Sequence, residues 1–568
     1  MGREEKPELD EAQLNALAAA ASDGMLGPNP FIGLRLDEMV ASVRKLAHKV
    51  AANPAVFLEQ EVALVPELAS VMAGRSELAP AAGDKRFQDE AWRSNPFYRR
   101  TAQSYLAWCG ALDKVVERAS LEEKNRERAR FVVSLWTQAM APSNTLLGNP
   151  AALKRVIDTG GMSVVKGVRN LVGDIAHNHG MPRQVDTAAF ELGRNVALSP
   201  GAVVFSNPVL ELLQYAPATE TVHARPQLIV PPQINKFYIF DLSPGRSLVE
   251  HLVQRGMQVF VVSWRNPTAE QRDWDMDTYV AALIEAIEAV REITGSKDVN
   301  LHGACSGAMT MAALMGHLAA RRRKLVHAAT LMVAVLDIGD ESQLGLFTSA
   351  KAMAAAKRSS RRKGVLNGQD MSRVFAWMRP NDLVWNYWVN NYLMGNPPPA
   401  FDLLYWNNDS TRLAAAFHAQ LLDIFTGNLL AQPGAMKVLG TKIDLGRVTC
   451  DKYIVAGITD HITPWKGVHR AAQVFGGHNE FVLSSSGHIQ SLINPPGNPK
   501  AKFFVNPANP ASSDDWLAGA KPVADSWWGH WADWLAKRSG PRIAAPAALG
   551  SRRHPPTAKA PGHYVLAT

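Results

Sequence analysis

One short segment of the sequence combines a reactive side chain with two closely spaced glycines. Cys305 stands in the run Gly303-Ala304-Cys305-Ser306-Gly307, after an apolar stretch and before an Ala/Met/Leu-rich stretch. A strand that turns sharply into a helix requires small residues two positions on either side of the nucleophile, because larger side chains would collide with neighbouring backbone. A helix amino terminus behind the nucleophile also stabilises a thiolate. The pattern predicts a nucleophile elbow at Cys305, and a buried structural cysteine beside two incidental glycines is the alternative.

An elbow of this kind requires an acid and a base that follow the nucleophile in chain order, each after a later strand. Asp460 and His488 each follow a short apolar, β-branched run and stand in that order. We therefore predict that His488 removes the Cys305 proton and that Asp460 orients the histidine. His461 is a rival for either role, but its position next to the acid points its side chain away from the other two groups.

The oxyanion that forms during acyl transfer needs two backbone N–H donors. Ser306, the residue after the nucleophile, supplies the first in a nucleophile elbow, and the loop after the first core strand supplies the second. In the segment 230–236, two consecutive prolines have no N–H to donate. Gln233, Ile234 and Asn235 remain as donors, and the sequence does not choose among them. We take Ile234 as the working assignment.

These residues need a scaffold of strands and helices to bring them together. Before about residue 200 the apolar spacing is mostly helical, and beyond it short β-branched runs alternate with helical segments, notably 277–293 and 308–320. The alternation predicts a mostly parallel, buried sheet. With the elbow and its partners, it predicts an α/β-hydrolase fold with a large cap insertion, preceded by a mainly helical N-terminal domain. The predicted strands are 227–230, 258–263, 299–302, 328–335, 451–456 and 480–483.

The domain boundaries follow from composition and spacing. We predict a mainly helical N-terminal domain over 1–200, a catalytic domain over 201–540 and an extended C-terminal tail over 541–568, which is rich in Pro, Ala and Arg. Within the catalytic domain, 337–448 is too long for a simple crossover and is therefore an insertion. Its aromatic middle, 377–406, indicates a lid over the carboxyl edge of the sheet, and a packed helical subdomain is the alternative.

Composition narrows the class of partner. The chain has 568 residues, with 60 Lys and Arg against 52 Asp and Glu. Its densest basic runs, 321–324 and 357–363, lack the interleaved aromatic residues of a single-strand nucleic-acid site, so solvated helix faces are favoured over a phosphate-bearing ligand or nucleic acid. Only three cysteines occur, at wide spacing, which supports neither a disulfide framework nor a zinc site and fits the cytoplasm. We expect no secretory signal and no transmembrane segment.

Six segments, in order, resemble those of the polyhydroxyalkanoate synthase family. The elbow wording Ala304-Cys305-Ser306 and the segment 28–34 resemble the class II, pseudomonad-type enzymes. Ala308 departs from the family pattern, which commonly has a further glycine there, and this narrows the elbow slightly. The resembling segments are 228–238, 262–267, 303–307, 379–388, 456–465 and 486–489.

The resemblance implies an acyltransferase that polymerises (R)-3-hydroxyacyl-CoA into poly(3-hydroxyalkanoate) with release of CoA. The likeness to class II enzymes implies that the acyl group of the substrate has a medium chain length. The acyl group would be carried as a Cys305 thioester, with no metal or redox cofactor, and Asp460 or His488 would activate the incoming hydroxyl. The resemblance also implies that the protein forms a homodimer in the cytoplasm. It further implies binding to the surface of polyester granules and to granule-associated proteins. We assign granule attachment and dimer contacts to the N-terminal domain, 1–200, and expect removal of 1–33 to release the protein from granules.

Two other classes of function remain open. A thioesterase, a lipase or an intracellular polyester depolymerase would use the same scaffold and the same order of residues. An inactive granule-coat or scaffold protein with a relic core is the alternative outside enzymes. Cysteine at the elbow and the long aromatic insertion favour polymerisation, because a polymerase must keep water from the acyl-enzyme.

Overall fold

The computed structural model describes residues 36–52, 54–178, 180–337, 349–371, 377, 380–460 and 462–568. A central sheet of eleven strands organises the chain beyond residue 200. The strands of the described part are β1 Gly201–Ser206, β2 Leu210–Tyr215, β3 Thr221–His223, β4 Gln227–Val230, β5 Val259–Trp264, β6 Val299–Ala304, β7 Val326–Met332, β8 Val365–Leu366, β9 Leu413–Ala414, β10 Lys437–Val438, β11 Thr441–Lys442, β12 Asp451–Gly457, β13 Asn479–Ser484, β14 Phe503–Val505, β15 Lys521–Val523, β16 Arg542–Ala544 and β17 Ala558–Lys559.

The large sheet has the order β15-β14-β13-β12-β7-β6-β4-β5-β2-β1-β17. Its six central strands, from β13 to β5, pair in parallel. Both flanks pair antiparallel. The centre of the sheet is therefore parallel, as predicted. The prediction of a mostly parallel sheet does not extend to the two flanks, which are antiparallel. The flanking strands are short or mix polar with apolar residues, so the sequence does not mark them as buried runs.

The six predicted strands are confirmed to within three residues at each end. The largest difference is at β7, which ends at Met332 rather than at residue 335. Val333 has φ of 45°, outside the extended region, and this stops the strand. Central strands such as β4 and β5 are buried along their whole length, which explains their near-continuous apolar sequences. β6 is equally buried, although Asn300 and His302 interrupt its apolar residues.

Two of the predicted helices pack on this sheet. The helix Met276–Thr294 begins with a capping box made by Asp275 and Thr278 and ends at Gly295, whose φ is 69°. The helix Cys305–Ala320 follows β6 without a loop, so it begins three residues before the predicted start. Its side chains are buried from Ser306 to Leu318, as its apolar composition requires. The chain has the α/β-hydrolase fold.

The region before the sheet is helical, as predicted. Prolines at the first helical position and asparagine caps start several of its helices, for example at Asn95 and Asn149. Residues 1–33, which were assigned to granule attachment, lie outside the described residues. The helices of this region are Leu36–Ala52, Pro54–Met72, Ala91–Ser94, Pro96–Arg118, Glu123–Ala139, Pro150–Asp158 and Met162–His177.

The predicted insertion contains helices and two short strand pairs, and part of it packs on the N-terminal helices. Tyr392 donates a hydrogen bond of 2.8 Å from its hydroxyl to Asp174 Oδ2 in the helix Met162–His177. The remaining helices are Leu248–Gln254, Ala350–Lys363, Asn386–Trp388, Asp402–Asn408, Ala415–Gly427, Trp465–Val474, His488–Leu492, Ser513–Ala518 and Trp527–Ala536. None of the helices in the described ranges is long and apolar enough to cross a membrane.

The final segment, 541–568, lies against the catalytic domain. β16 pairs antiparallel with β3, and β17 adds to the edge of the large sheet beside β1. Val565, three residues before the end of the sequence, is buried. The segment that was predicted as an extended tail thus pairs with the catalytic domain through both strands, β16 in a separate two-stranded sheet and β17 at the edge of the large sheet.

Candidate active site

Cys305 lies at the turn between β6 and the helix that follows it. Its φ is 49°, in the left-handed region, where a residue with a side chain is strained by about 1–3 kcal/mol. A side chain at Gly307 would meet the carbonyl oxygen of Pro231 at 2.3 Å, and one at Gly303 would meet Ala308 Cα at 2.8 Å. The two glycines therefore have the steric role that the sequence predicted. Ala308 is fully buried against this turn.

Asp460 and His488 approach Cys305 because their strands end at the same edge of the sheet. Ala304 of β6 pairs with Met332 of β7, and Met332 pairs with Val455 of β12. β12 and β13 also pair in parallel and in register. Parallel strands present their carboxyl ends together, so the residues after β6, β12 and β13 meet there.

The acid and the base are joined and buried. His488 Nδ1 donates a hydrogen bond of 2.7 Å to Asp460 Oδ2, and both side chains are almost fully shielded from solvent. The His488 ring also hydrogen bonds to the Cys305 side chain. Because Nδ1 is engaged by the carboxylate, Nε2 is the nitrogen left for the thiol. The structure thus brings together the three residues that the sequence placed in order.

The electrostatics of the pair favour its charged form. Burial lowers the pKa of His488, but the adjacent Asp460 carboxylate and the contact with Cys305 outweigh burial and raise it above its ordinary value. Burial raises the pKa of Asp460, yet the charge and hydrogen bond of His488 and the bonds from Thr463 lower it. A protonated His488 beside an ionised Asp460 is therefore stabilised, as a base that receives a thiol proton requires.

The loop 231–236, called the oxyanion loop below, crosses the elbow. The Gln233 N–H donates to Ser306 Oγ at 3.1 Å, so that N–H is already engaged. Asn235 has φ of 64° and turns the loop. Ile234 lies between them and is buried. Of the three N–H donors that the sequence left open, that of Gln233 is thus already bonded within the protein.

His461, which the sequence offered as a rival acid or base, lies outside the described residues.

Comparisons with known proteins identify the family of this chain. The family described as poly-beta-hydroxybutyrate polymerase (PhaC) N-terminus matches residues 83–252, and the alpha/beta hydrolase fold family matches residues 227–495. Poly(3-hydroxyalkanoate) polymerase 1 of Ectopseudomonas oleovorans is 51% identical over 97% of this chain and 98% of its own. The chain belongs to the poly(3-hydroxyalkanoate) polymerase family. It is of the pseudomonad type and is an acyltransferase with an α/β-hydrolase fold.

Other relatives support the same placement. Poly(3-hydroxyalkanoate) polymerase 2 of Ectopseudomonas oleovorans is 50% identical over 95% of this chain and 96% of its own. The polymerase subunit PhaC of Cupriavidus necator is 41% identical over 87% of this chain and 85% of its own. Among solved structures, a monoacylglycerol lipase of Paleococcus ferrophilus aligns over 49% of this chain and 90% of its own, with 12% identity and a TM-score of 0.29.

One residue of the polymerase site was missed by the sequence analysis. Thr463 Oγ1 donates a hydrogen bond of 2.6 Å to Asp460 Oδ2 and lies 3.2 Å from His488 Nδ1, while its N–H donates to Asp460 Oδ1 at 3.0 Å. The Ile462 N–H donates to the same oxygen at 2.9 Å. The spacing Asp-x-x-Thr, typical of a capped turn, is the signal that could have identified Thr463.

A segment of the cap also reaches the polymerase site. Residues 402–411, called the cap arm below, run from the helix Asp402–Asn408 into the following loop. Thr411 Oγ1 donates to the Gln233 carbonyl at 2.7 Å, and the Trp406 indole donates to the Lys236 carbonyl at 2.7 Å. Asn235 donates from its side chain to the Asn407 carbonyl at 3.1 Å. The cap arm therefore lies on the oxyanion loop and fixes its backbone.

Within the described ranges, no group of three or more His, Cys, Asp and Glu side chains is arranged to hold a metal ion. The three cysteines are unpaired and well separated in the sequence.

Proposed function

We propose that this chain polymerises (R)-3-hydroxyacyl-CoA into poly(3-hydroxyalkanoate), with release of CoA, through a thioester on Cys305. The observation that carries the proposal is the buried, hydrogen-bonded pair of Asp460 and His488 in contact with a cysteine in a strained elbow. Family membership supplies the reaction class, and this contact supplies the chemistry.

The first half-reaction loads a monomer. His488 accepts the Cys305 proton, and the thiolate attacks the thioester carbonyl of the acyl-CoA. The backbone N–H groups of Ser306 and Ile234 receive the negative charge that develops on the carbonyl oxygen. Ile234 is preferred to Gln233 because the Gln233 N–H is engaged by Ser306 Oγ. The tetrahedral intermediate collapses, the carbon–sulfur bond to CoA breaks, and His488 returns the proton to the CoA sulfur.

The second half-reaction transfers the chain. The 3-hydroxyl of the acceptor attacks the acyl-Cys305 carbonyl, an ester forms and the cysteine thiol is released. We assign the hydroxyl proton to His488 rather than to Asp460. The Asp460 carboxylate is fully buried and already accepts four hydrogen bonds, from two backbone N–H groups, a hydroxyl and the imidazole. Its lone pairs are therefore taken, whereas His488 faces the thiol.

A thiol suits this sequence of steps better than a hydroxyl. Exchange of a CoA thioester for a cysteine thioester changes the free energy little, so the acyl group stays activated for the next hydroxyl. No step requires a metal or redox cofactor. The competing outcome is hydrolysis, as in a thioesterase, lipase or depolymerase, and the cap arm over the oxyanion loop supports exclusion of water from the acyl-enzyme.

We assign medium-chain monomers as substrates, on the pseudomonad type of the chain, and the apolar surface of the polyester granule as a partner. A face of the helix Met162–His177 supports the second assignment. Its exposed residues include Met162, Val165, Val168, Val172 and Ile175, each more than half exposed, and we call them the apolar stripe.

The opposite face of that helix is the one that packs. It presents small and polar residues to the cap: a side chain at Gly167 would meet the Tyr392 carbonyl at 1.9 Å, and Asn170 donates to the Asn391 carbonyl at 2.9 Å. A surface helix normally buries its apolar face. In this helix the polar face packs and the apolar stripe is exposed, so the stripe is available to an apolar partner. The product of the reaction is an aliphatic polyester, which is such a partner. Granule association, a homodimer and a cytoplasmic location complete the proposal.

One assay tests the reaction. The enzyme is incubated with 3-hydroxydecanoyl-CoA while free CoA and the size of the acyl product are followed together. Release of CoA with growth of high-molecular-weight polyester is expected. Release of CoA with monomeric 3-hydroxydecanoic acid would make the chain a hydrolase, and absence of any turnover would favour the inactive scaffold.

A second assay tests the stripe. Val168→Glu and Val172→Glu should lower the fraction of enzyme that sediments with isolated polyester granules, and His177→Glu on the same helix is the matched control. Equal granule binding by stripe and control variants would remove the stripe from the proposal. If the stripe variants lose the homodimer but keep granule binding, the apolar stripe is instead a surface that binds a second copy of the chain.

A further inference from the structure

Lys236 is a buried cation that no step of the reaction uses. It ends the oxyanion loop two residues after Ile234, and only 5% of its surface is exposed. A buried ammonium group is tolerated only when all of its N–H donors find acceptors. The identity of those acceptors shows what the residue holds.

All three donors of the Lys236 ammonium have acceptors, from two remote parts of the chain. Nζ lies 3.0 Å from Asp409 Oδ1 in the cap arm. It donates to the carbonyls of Val565 at 2.5 Å and Ala567 at 3.0 Å in the terminal segment, 563–568. Lys236 therefore joins the oxyanion loop to a cap residue and to the last residues of the sequence.

Each partner is fixed independently of Lys236. In the cap arm, Asp409 Oδ2 accepts a hydrogen bond of 2.9 Å from the Tyr238 hydroxyl. In the terminal segment, the buried Glu211 carboxylate accepts the N–H groups of His563 and Tyr564, both at 2.9 Å. The ammonium thus binds two sets of acceptors whose positions are fixed by other hydrogen bonds, and it holds the oxyanion loop against them.

The cap and the terminal segment are also joined to each other beside the loop. Arg412 Nη2 donates to the Thr568 carbonyl at 2.9 Å, and the Arg412 backbone N–H donates to Asn266 Oδ1 at 2.9 Å. Asn266 in turn donates to the Ala567 carbonyl at 3.3 Å. The cap and the terminal segment therefore form a closed ring of contacts beside the oxyanion loop, and the Lys236 ammonium joins the loop to both of them.

We propose that Lys236 is a positioning residue, which holds the Ile234 N–H in place for the oxyanion by tying the loop to Asp409 and to the terminal segment. The inference rests on the proposed function of Cys305 and the oxyanion hole. The Lys236 ammonium bonds to Asp409, Val565 and Ala567 rather than to the Cys305 thiol. Because a donor displaced by about 1 Å loses on the order of 10²-fold in rate, a residue two positions away can control turnover.

The main variant is Lys236→Met, which keeps the length of the side chain and removes the ammonium. With 3-hydroxydecanoyl-CoA as the probe, kcat for CoA release should fall by about 10- to 100-fold while KM changes by less than about threefold. Lys236→Arg, which retains the cation, should recover part of kcat. Lys559→Met, which removes an exposed cation from β17, is the matched control and should keep wild-type kcat.

A second readout separates positioning from loss of structure. The rate of Cys305 alkylation by iodoacetamide reports the elbow and its base, and Lys236→Met should leave it within about twofold of wild type. A general collapse of the site would change alkylation and kcat together. That result, or a rise in KM that accounts for the whole loss, would overturn the inference.

The contribution of the partners is tested by combination. Asp409→Asn, and separately removal of residues 563–568, should each lower kcat, and neither should lower it further once Lys236→Met is present. Full additivity would overturn the inference. If the shortened chain does not fold, the Asp409→Asn combination decides.

The Cys305→Ala variant separates the two proposals. If Cys305→Ala retains CoA release, the proposed function fails. If Cys305→Ala is inactive while Lys236→Met is fully active, only the role of Lys236 fails.

Discussion

The elbow and the oxyanion loop lie against each other but are held in different ways. The elbow is one continuous piece of chain, in which β6, the turn at Cys305 and the following helix are consecutive. The oxyanion loop is held by groups distant in sequence, including Thr411, Trp406 and the carbonyl of Val565. The elbow is therefore built from one stretch of sequence, whereas the backbone of the oxyanion loop is positioned by distant parts of the assembled protein.

This difference has a consequence for regulation by the cap. Movement of the cap arm would leave the elbow intact, because the glycine contacts and the β6 pairing do not involve it. The same movement would break the hydrogen bonds from Thr411 and Trp406 to the oxyanion loop. We therefore expect an open cap to leave Cys305 reactive toward small reagents and to impair acyl transfer. A lag before steady polymerisation would then report the closing of the cap.

The largest effect is expected at the nucleophile. Cys305→Ala should reduce CoA release by roughly 10⁵-fold, to background, because no other group can carry the acyl chain. Cys305→Ser should retain at most a trace, since an ester does not keep the activation of a thioester. Steady-state CoA release from 3-hydroxydecanoyl-CoA measures both.

The other two cysteines are the controls for that comparison. Cys109→Ala and Cys450→Ala should keep most of the activity, because neither lies at the elbow. Full CoA release by the Cys305→Ala variant would show that the elbow is not the site of acylation.

The next largest effect is expected at the acid. Asp460→Asn keeps the shape and the acceptor for the Ile462 and Thr463 N–H groups but removes the charge that raises the pKa of His488. We expect a loss of about 10²- to 10⁴-fold in kcat/KM. An activity within tenfold of wild type would mean that His488 works without this partner.

The same variant gives a stability test. The pKa of His488 is raised in the folded protein above its ordinary 6.5, so its pairing with Asp460 stabilises the fold fully below pH 6.5 and loses that contribution as the pH rises through the raised pKa. The Tm of wild type minus that of Asp460→Asn should therefore decrease between pH 6 and pH 10. A difference that grows over this range would contradict the direction of the shift.

A smaller effect is expected where the two regions touch. A methyl group at position 307 would lie 2.3 Å from the Pro231 carbonyl oxygen, so Gly307→Ala must move the oxyanion loop relative to the elbow. We expect kcat to fall by about 10²-fold. Gly529→Ala, at a helical glycine with open space around it, is the matched control. Unchanged kcat in Gly307→Ala would show that the loop tolerates displacement.

The smallest effect is expected in the cap arm. Thr411→Val removes one hydrogen bond to the Gln233 carbonyl, while Trp406 and Lys236 still hold the loop. We expect kcat to fall by about fivefold, in line with the loss of one neutral hydrogen bond of about 1 kcal/mol. A loss as large as that of Gly307→Ala would mean that the cap arm, rather than the whole set of contacts, positions the loop.

Much of the site could be predicted because its signals are local. The glycines around Cys305 mark a turn that only small residues allow, and the chain order of Asp460 and His488 follows from where parallel strands end. The buried central strands were likewise predicted from apolar runs. Their antiparallel neighbours β1, β2, β14 and β15 were missed. β14 and β15 have only three residues each, β2 mixes polar with apolar residues, and the apolar part of β1 is limited to 202–205.

The amino-acid sequence by itself identified the family and predicted Cys305, His488 and Asp460 as nucleophile, base and acid, since each depends on residue types at short or ordered spacings. Only the tertiary structure decided that Thr463 shares the Asp460 carboxylate and that the Gln233 N–H is engaged. It alone placed Lys236 between Asp409 and Val565. The physical reason is distance along the chain: Lys236 and Val565 are separated by 329 positions, and no local pattern records a contact that forms only when the sheet, the cap and the terminal segment pack together.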